Sequence, residues 1–329
     1  MQRSRIIGTG SYLPARKVTN DDLVKEYGVD TSDAWIRERT GIGARRIAAP
    51  DEATSDMATA ASRQALKMAG VAPEELDMIV VGTVTPDMPF PSAGALVQAK
   101  LGATKAVCFD VSAACAGSIY ALTIGDAFIK TGQAKRVLVI GADLLTRISD
   151  WRDRATCVLF GDAAGAMVLA PETRPDRGIL STHLYTDGTQ ADILKIPGGG
   201  SRRPFSPEVW ESRDQFIKMN GREVYKTAVR VLESASRDAL EHNGYQTRDV
   251  DYVIAHQANL RILDAVMKRL EIPLEKCEVN IDEVGNTSSA SVPLTLDQAN
   301  RAGKLKDGDL ILMMAIGGGM AWGSALMRW

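Results

Sequence analysis

Cysteine is scarce in this chain, with four residues in 329, at Cys108, Cys115, Cys157 and Cys277. None forms a C-x-x-C pair and no Cys/His spacing suits zinc, so a disulfide framework and a structural metal are both disfavoured. A reducing, cytoplasmic compartment is expected. Aromatic residues make up only 5% and proline numbers 13 against 29 glycines, a balance that suits helices packed closely on a sheet. Neither sign of charge dominates: Lys plus Arg is 39, Asp plus Glu is 41, and the net charge is −2. Nothing electrostatic therefore points to nucleic acid or to an anionic membrane. The apolar, Gly-rich run at 310–322 is too short to cross a bilayer, and the opening MQRSRIIGTGSYLP lacks the apolar core of a secretory signal. There is no G-x-x-x-x-G-K-[ST], no G-x-S-x-G and no H-E-x-x-H. Gly8-Thr9-Gly10 lacks the third glycine of a dinucleotide fingerprint. No cofactor and no metal are expected.

What is present is an α/β pattern, 45% hydrophobic and 24% charged, which excludes a disordered or fibrous chain. Short β-branched runs read as buried parallel strands at 78–83, 106–111, 136–142, 252–257, 277–281 and 310–316. Helical periodicity lies between them at 54–69, 91–101, 115–131, 222–243, 258–270 and 287–302, most ending at a glycine suited to a C-cap. The order helix, strand, helix, strand, helix, strand occurs twice, with Ala121-Leu122-Thr123 opposite Pro293-Leu294-Thr295. The expected architecture is a duplicated α/β unit with two mixed sheets, its halves at 1–170 and 171–329. The proline- and glycine-rich stretch 171–217 reads as a surface excursion between them.

Ligands of α/β sheets collect at the carboxyl ends of strands, and three chemistry-bearing residues fall there. Cys115, in DVSAACAGSIYAL, follows the strand at 106–111 among small residues that let a substrate approach. A helix N-terminus behind it would favour the nucleophilic thiolate. His256, in VIAHQAN, ends a strand, whereas His183 and His242 read as surface or turn residues. Asn286, in EVGNTSSASVP, follows the expected strand at 277–281. Taken singly, these residues read as a core cysteine, a hydrogen-bonded histidine and a turn asparagine. A Cys, a His and an Asn at three corresponding strand ends point to nucleophilic catalysis. Cys115 and Asn286 should begin equivalent helices and face each other. Cys108 and Cys157, inside apolar runs, and Cys277, opening another, read as core.

These residues sit in long ordered motifs: GTGSYLP, DAWIRERTGI, TPDMPFPSAG, DVSAACAG, FGDAAGA, MNGREVY, HQANLRI, GNTSSASVP and GGGMAWGSAL. Across nearly its whole length the chain resembles the β-ketoacyl-acyl-carrier-protein synthase III family, condensing enzymes of the thiolase fold. The resemblance implies a layered helix/sheet sandwich and a Cys115, His256, Asn286 triad. A Cys-His-His enzyme is disfavoured by Asn286, and a thiolase by the lack of a second catalytic cysteine in GGGMAWG. It further implies an oxyanion hole from the backbone N–H groups of Cys115 and Gly318 and a coenzyme A site at Trp35, Arg39 and Arg154. Asn259 would line the pantetheine tunnel, and Phe90 would reach across a homodimer to border the acyl pocket. The implied reaction is transfer of an acyl group, acetyl foremost, from acyl-CoA to Cys115, then decarboxylative condensation with malonyl-acyl carrier protein to start fatty acid synthesis. A starter-condensing or acyl-transferring relative in polyketide or specialised metabolism shares the triad. A non-catalytic acyl-CoA-binding homologue would not need it. The segment around 196–216 matches the family least.

Two basic stripes add a docking expectation. Arg261, Lys268 and Arg269 recur on one face of the helix after His256, and Arg222, Lys226 and Arg230 step by four along the helix near 222. Asp264 and Glu223 lie beside them, as on an ordinary solvated face. Both helices flank the His256 strand, so Lys226, Arg261 and Lys268 are expected to receive an acidic acyl carrier protein at a tunnel mouth.

Overall fold

The computed structural model describes residues 3–329. Nine strands build two sheets. The first contains β1 (Arg3–Tyr12), β2 (Met78–Gly82), β3 (Val107–Val111), β4 (Val137–Leu144) and β5 (Asp162–Glu172), in the order β1-β5-β4-β2-β3. The second contains β6 (Gly178–Thr186), β7 (Tyr252–Ala255), β8 (Leu310–Gly317) and β9 (Ala321–Arg328), in the order β7-β8-β9-β6. Both are mixed. β2 runs parallel to β3 and β4, and β7 parallel to β8, while β1, β5, β6 and β9 pair antiparallel.

Six helices pack on these sheets. α1 (Thr54–Ala69) and α2 (Ala93–Leu101) cover the outer face of the first sheet, and α4 (Gly221–His242) and α5 (Leu260–Leu270) that of the second. Between the sheets lie α3 (Gly117–Lys130) and α6 (Ser291–Arg301), whose apolar residues share one core with both: Ile119, Leu122, Val292 and Leu296 pack with Val80, Val139, Ile311 and Met313. The layering is helix, sheet, helix, sheet, helix. Glycines let the central helices approach the first sheet. A Cβ on Gly82 would overlap the Gly117 backbone, and one on Gly141 would overlap the Ser289 carbonyl oxygen.

Several sequence expectations need correction. The segment 277–281 is not a strand: it keeps one parallel bridge, Val253 to Cys277, where the first half has all of β3. The physical reason is Gln257. Its Oε1 accepts from the Asn280 and Ile281 amides at 2.9 and 3.0 Å, and its Nε2 donates to the Glu278 carbonyl at 2.9 Å, so a side chain takes over what a ladder would supply. The stretch 171–217 is not all excursion, since β6 lies inside it and closes the second sheet. His183 sits half-buried on β6, edge-on to His242 at 5.1 Å, rather than in a turn. Cys157 ends the short helix Arg154–Cys157 instead of lying in a strand.

The repeat is also shifted from the alignment read in the sequence. A short 3-10 turn precedes each central helix, Ala114–Ala116 before α3 and Ser288–Ala290 before α6, and each begins with a left-handed residue, Ala114 at φ 45° and Ser288 at φ 52°. Ala121 therefore falls opposite Thr295 rather than Pro293. Cys115 corresponds to Ser289, not to Asn286.

Candidate active site

Cys115, His256 and Asn286 all line a single cavity of about 730 Å³. Cys115 is held in the turn between β3 and α3, with its amide against Gly317: a Cβ on Gly317 would overlap the Cys115 nitrogen. Gly317 lines the cavity, whereas its neighbour Gly318, expected at the oxyanion hole, lies against Leu194 and is not part of the lining. The expected low-pKa thiolate is not the resting state. Burial pushes the Cys115 thiol up to about 12, the Asp143 carboxylate adds to this, and the Ser288 hydroxyl and the residue's own N–H favour the anion.

His256 follows β7 directly, its amide donating to the Met314 carbonyl at 2.8 Å, and is 2% exposed. Among the described residues, neither ring nitrogen has a hydrogen-bond partner. Burial pushes the imidazole down to about 3, so it is neutral at physiological pH and presents one donor to the cavity. A buried imidazole with both nitrogens free is costly for folding and suits a ligand.

Asn286 is pinned on both backbone sides. Its N–H donates to the Leu159 carbonyl at 2.8 Å and its carbonyl accepts from the Gly161 amide at 3.0 Å. Its Oδ1 accepts from the Ser288 amide at 2.9 Å. That bond fixes the orientation of the amide and leaves Nδ2 as the donor available to a substrate.

At the mouth, the short helix Asp33–Thr40 presents Trp35 and Arg39. The Arg39 guanidinium lies 5.5 Å from the Trp35 ring centroid and that of Arg154 4.9 Å. Arg154 also donates to the Asp30 carbonyl at 2.8 Å and does not line the cavity. Asn259 lines it and caps α5, its Oδ1 accepting from the Arg261 amide while its Nδ2 donates to the Arg39 carbonyl. Arg222 and Lys226 of α4 and Arg261 of α5 also border the cavity. Lys226 pairs with Glu223 at 2.9 Å, and Lys268, farther along α5, pairs with Asp264 at 2.7 Å outside the lining. Phe90 is 85% exposed and contributes nothing to this chain's own cavity. Among the described residues no cluster of acids, histidines and cysteines is arranged to hold a metal.

Four residues that support the site went unread in the sequence. Asp143, fully buried, gathers Thr83, Val84, Thr85 and Ser289 around its carboxylate. Arg45, also fully buried, donates to the Asn20 side chain and to the Val158 carbonyl at 2.9 Å, steadying the segment that holds Asn286. Ser288 donates its amide to the Asn286 Oδ1. Gln257 and Ser288 stand beside the motif residues and were open to notice. Arg45, in an Arg-Arg pair, gave no local signal.

The layered fold and a cavity holding a buried cysteine, a neutral histidine and an amide define a thiolase-fold condensing acyltransferase. Residues 109–188 match 3-oxoacyl-[acyl-carrier-protein (ACP)] synthase III, and residues 240–329 its C-terminal part. The chain is 52% identical to the β-ketoacyl-[acyl-carrier-protein] synthase III of Xanthomonas campestris pv. campestris, covering 99% of this chain and 98% of that one. The crystal structure of 3-oxoacyl-[acyl-carrier-protein] synthase III from Aquifex aeolicus VF5 superposes with a TM-score of 0.92 at 49% identity, over 99% of this chain and 100% of that one. A priming β-ketosynthase from the R1128 polyketide biosynthetic pathway does so with 0.91 at 38% identity, over 99% and 96%. The chain belongs to the β-ketoacyl-acyl-carrier-protein synthase III family.

Proposed function

We propose that the enzyme starts type II fatty acid synthesis by condensing an acyl-CoA starter, acetyl-CoA foremost, with malonyl-acyl carrier protein. The observation that carries this reading is the convergence of Cys115, His256 and Asn286 on one cavity, with both His256 nitrogens unpartnered. The Cys115 sulfur attacks the thioester carbonyl, the bond to the coenzyme A sulfur breaks, and the thiol proton ends on coenzyme A. The backbone N–H of Cys115 and, as the family resemblance implies, that of Gly318, whose neighbour Gly317 lines the cavity, hold the developing oxyanion. Malonyl-acyl carrier protein then loses carbon dioxide. Neutral His256 and the Asn286 amide donate to its thioester oxygen as enolate charge develops, and the carbanion attacks the acyl carbon and expels the Cys115 thiolate. The product is 3-oxoacyl-acyl carrier protein.

Trp35 offers a face for the adenine of coenzyme A, Arg39 and Arg154 offer cations for its phosphates, and Asn259 borders the pantetheine arm. Lys226 and Arg261 receive the acidic carrier protein at the mouth, with Lys268 on the outer turn of the same stripe. The working unit is a homodimer in which Phe90 borders the acyl pocket across the interface. The exposed edge strand β3, with Val107 61% exposed, is consistent with such a pairing. The two halves, 1–170 and 171–329, contribute the nucleophile and the His/Asn pair respectively. The enzyme is assigned to the cytoplasm with no cofactor, membrane or nucleic acid involved. The likeness to a polyketide priming synthase supports a second reading, in which the same chemistry supplies a specialised pathway.

Mass spectrometry after incubation with a panel of acyl-CoAs tests the reading. Acetyl mass on the Cys115 peptide is expected. Label on Cys108, Cys157 or Cys277, or no label from any acyl-CoA, would overturn it, and the preferred acyl chain separates the two metabolic roles.

A further inference from the structure

The end of the molecule opposite the active site holds a second, strongly basic cavity. Cys115 and His256 lie beyond the carboxyl ends of β3 and β7. This cavity, of about 440 Å³, lies instead where β6 and β8 begin and β9 ends. Among the described residues its lining holds four arginines, Arg3, Arg174, Arg177 and Arg328, against one acidic side chain, Asp176. That is a local excess of positive charge on a protein of net charge −2.

The arginines are fixed in place. Arg328, half-buried, donates to the Gly308 carbonyl at 2.9 Å and to the Tyr245 hydroxyl at 3.1 Å. Its guanidinium also lies 5.1 Å from the Tyr245 ring centroid. Both bonds end on neutral oxygens, so two of its five N–H donors are used and its charge has no counter-ion among the described residues. Arg3 likewise donates to a neutral group, the Pro175 carbonyl. Arg174 and Arg177 do pair, with Asp176 at 3.4 Å and Asp307 at 2.7 Å, but those carboxylates are 70% and 65% exposed. Exposed pairs of this kind contribute little and give way to a better partner. The loop that carries both arginines, between β5 and β6, is anchored at its two ends. Buried Glu172 accepts from the Thr173 and Arg174 amides at 2.8 and 2.9 Å, and a Cβ on Gly178 would overlap the Ser4 carbonyl oxygen.

An oriented guanidinium without a counter-ion is a site for an anion, and its fork matches paired phosphate oxygens. Four guanidiniums around one cavity suit two linked phosphates better than one phosphate or a carboxylate. The volume lies in the range of small-molecule sites, about 300–1,000 Å³. Glu172, Asp176 and Asp307 flank the arginines and would repel an extended polyanion.

We infer that this cavity binds a small diphosphate-bearing anion, free or carried by a nucleotide, with Arg328 and Arg3 as fixed contacts and Arg174 and Arg177 turning from their exposed acids to meet it. The inference does not depend on the reading of Cys115. No residue lines both this cavity and the one that holds Trp35 and Arg39.

Isothermal titration calorimetry of the full-length enzyme, with inorganic diphosphate as the probe, tests the site. Saturable binding is expected to persist in Arg39→Gln, which strikes the mouth of the other cavity. It should weaken about tenfold in Arg328→Gln and several-fold in Arg3→Gln, each of which removes charge-assisted bonds to the anion. Arg328→Lys keeps the charge but loses the fork, and should fall between wild type and Arg328→Gln. Acetylation of Cys115 by acetyl-CoA should stay within about twofold of wild type in Arg328→Gln, because the two cavities are remote. That readout, with the Tm, separates a lost contact from a lost fold. Arg3→Gln repeats the test at a residue with less of the fold at stake. Adenosine diphosphate binding more tightly than diphosphate would identify a nucleotide, and equal or weaker binding the free anion. No saturable binding of either, binding unchanged in both Arg328→Gln and Arg3→Gln, or binding lost in Arg39→Gln alone overturns the site.

Discussion

His256 and Cys115 are buried in the same cavity, and burial acts on them in opposite directions with one outcome: each is held in its neutral form. In the proposed reaction the neutral form of His256 is the working one. An imidazole pushed down to about 3 does not titrate in the ordinary range around ~6.5. Decarboxylation by pre-acylated enzyme should therefore show no acid limb near pH 6.5, and a limb there that vanishes in His256→Gln would contradict the assignment. His256→Ala or Asn286→Ala should slow that half-reaction by roughly 10²–10³ and leave Cys115 acylation comparatively intact, because each removes one donor aimed at the enolate oxygen. Stopped-time measurement of carbon dioxide release beside acetyl incorporation reads both. For Cys115 the neutral form is only the resting one, and acylation requires that its proton leave.

The elements that carry these side chains are set by close backbone approach more than by propensity. The turn at 288–290 sits against β4 because Gly141 has no side chain, and α3 sits against β2 because Gly82 has none. Gly141→Ala places a methyl group on the Ser289 carbonyl oxygen, which is backbone and has nowhere to move except away from Asp143. A loss of about 1–3 kcal/mol in urea unfolding is expected for this overpacking. The decarboxylation rate of the folded fraction should drop as well, because Ser288 and Asn286 move with the turn. Full activity with full stability would show that the contact is slack. The segment 277–281 illustrates the converse. Its apolar, β-branched letters suit a strand, yet Gln257 captures its amides and its ladder shrinks to one bridge. A pattern read along one segment cannot register a competitor that arrives from another.

Charge organises the outer face. The protein carries a net charge of −2, yet Arg222, Lys226 and Arg261 meet at one cavity mouth from two helices. In the proposed docking, a local positive patch on a nearly neutral protein steers an acidic carrier protein without drawing in polyanions generally. Lys226→Glu or Arg261→Glu should raise the KM for malonyl-acyl carrier protein several-fold and leave acetylation by acetyl-CoA nearly unchanged. Added salt should lower the carrier-dependent rate of the wild type, since exposed charges are screened beyond ~10 Å at 0.1 M. An equal fall in both half-reactions would place the defect in coenzyme A binding or folding instead.

The α/β class, the duplication, the Cys, His and Asn and the basic stripes were all legible in the amino-acid order. Each rests on local periodicity or on a residue type inside a contiguous motif, and such signals survive without knowledge of what packs nearby. The strands β1, β5, β6 and β9 were not among the expected strands: glycines thin the apolar runs of β1 and β5, whose mutual partners are far apart in the chain, and β6 and β9 mix polar with apolar residues. The true register of the repeat, Cys115 opposite Ser289, became visible only through the left-handed pair Ala114 and Ser288, since residue identity between the halves is too thin to align them. Arg45 and Asp143 look like surface charges in the sequence and lie fully buried in the fold. Their roles come from carbonyls, hydroxyls and amides supplied by distant segments, and it was folding that brought those groups to them.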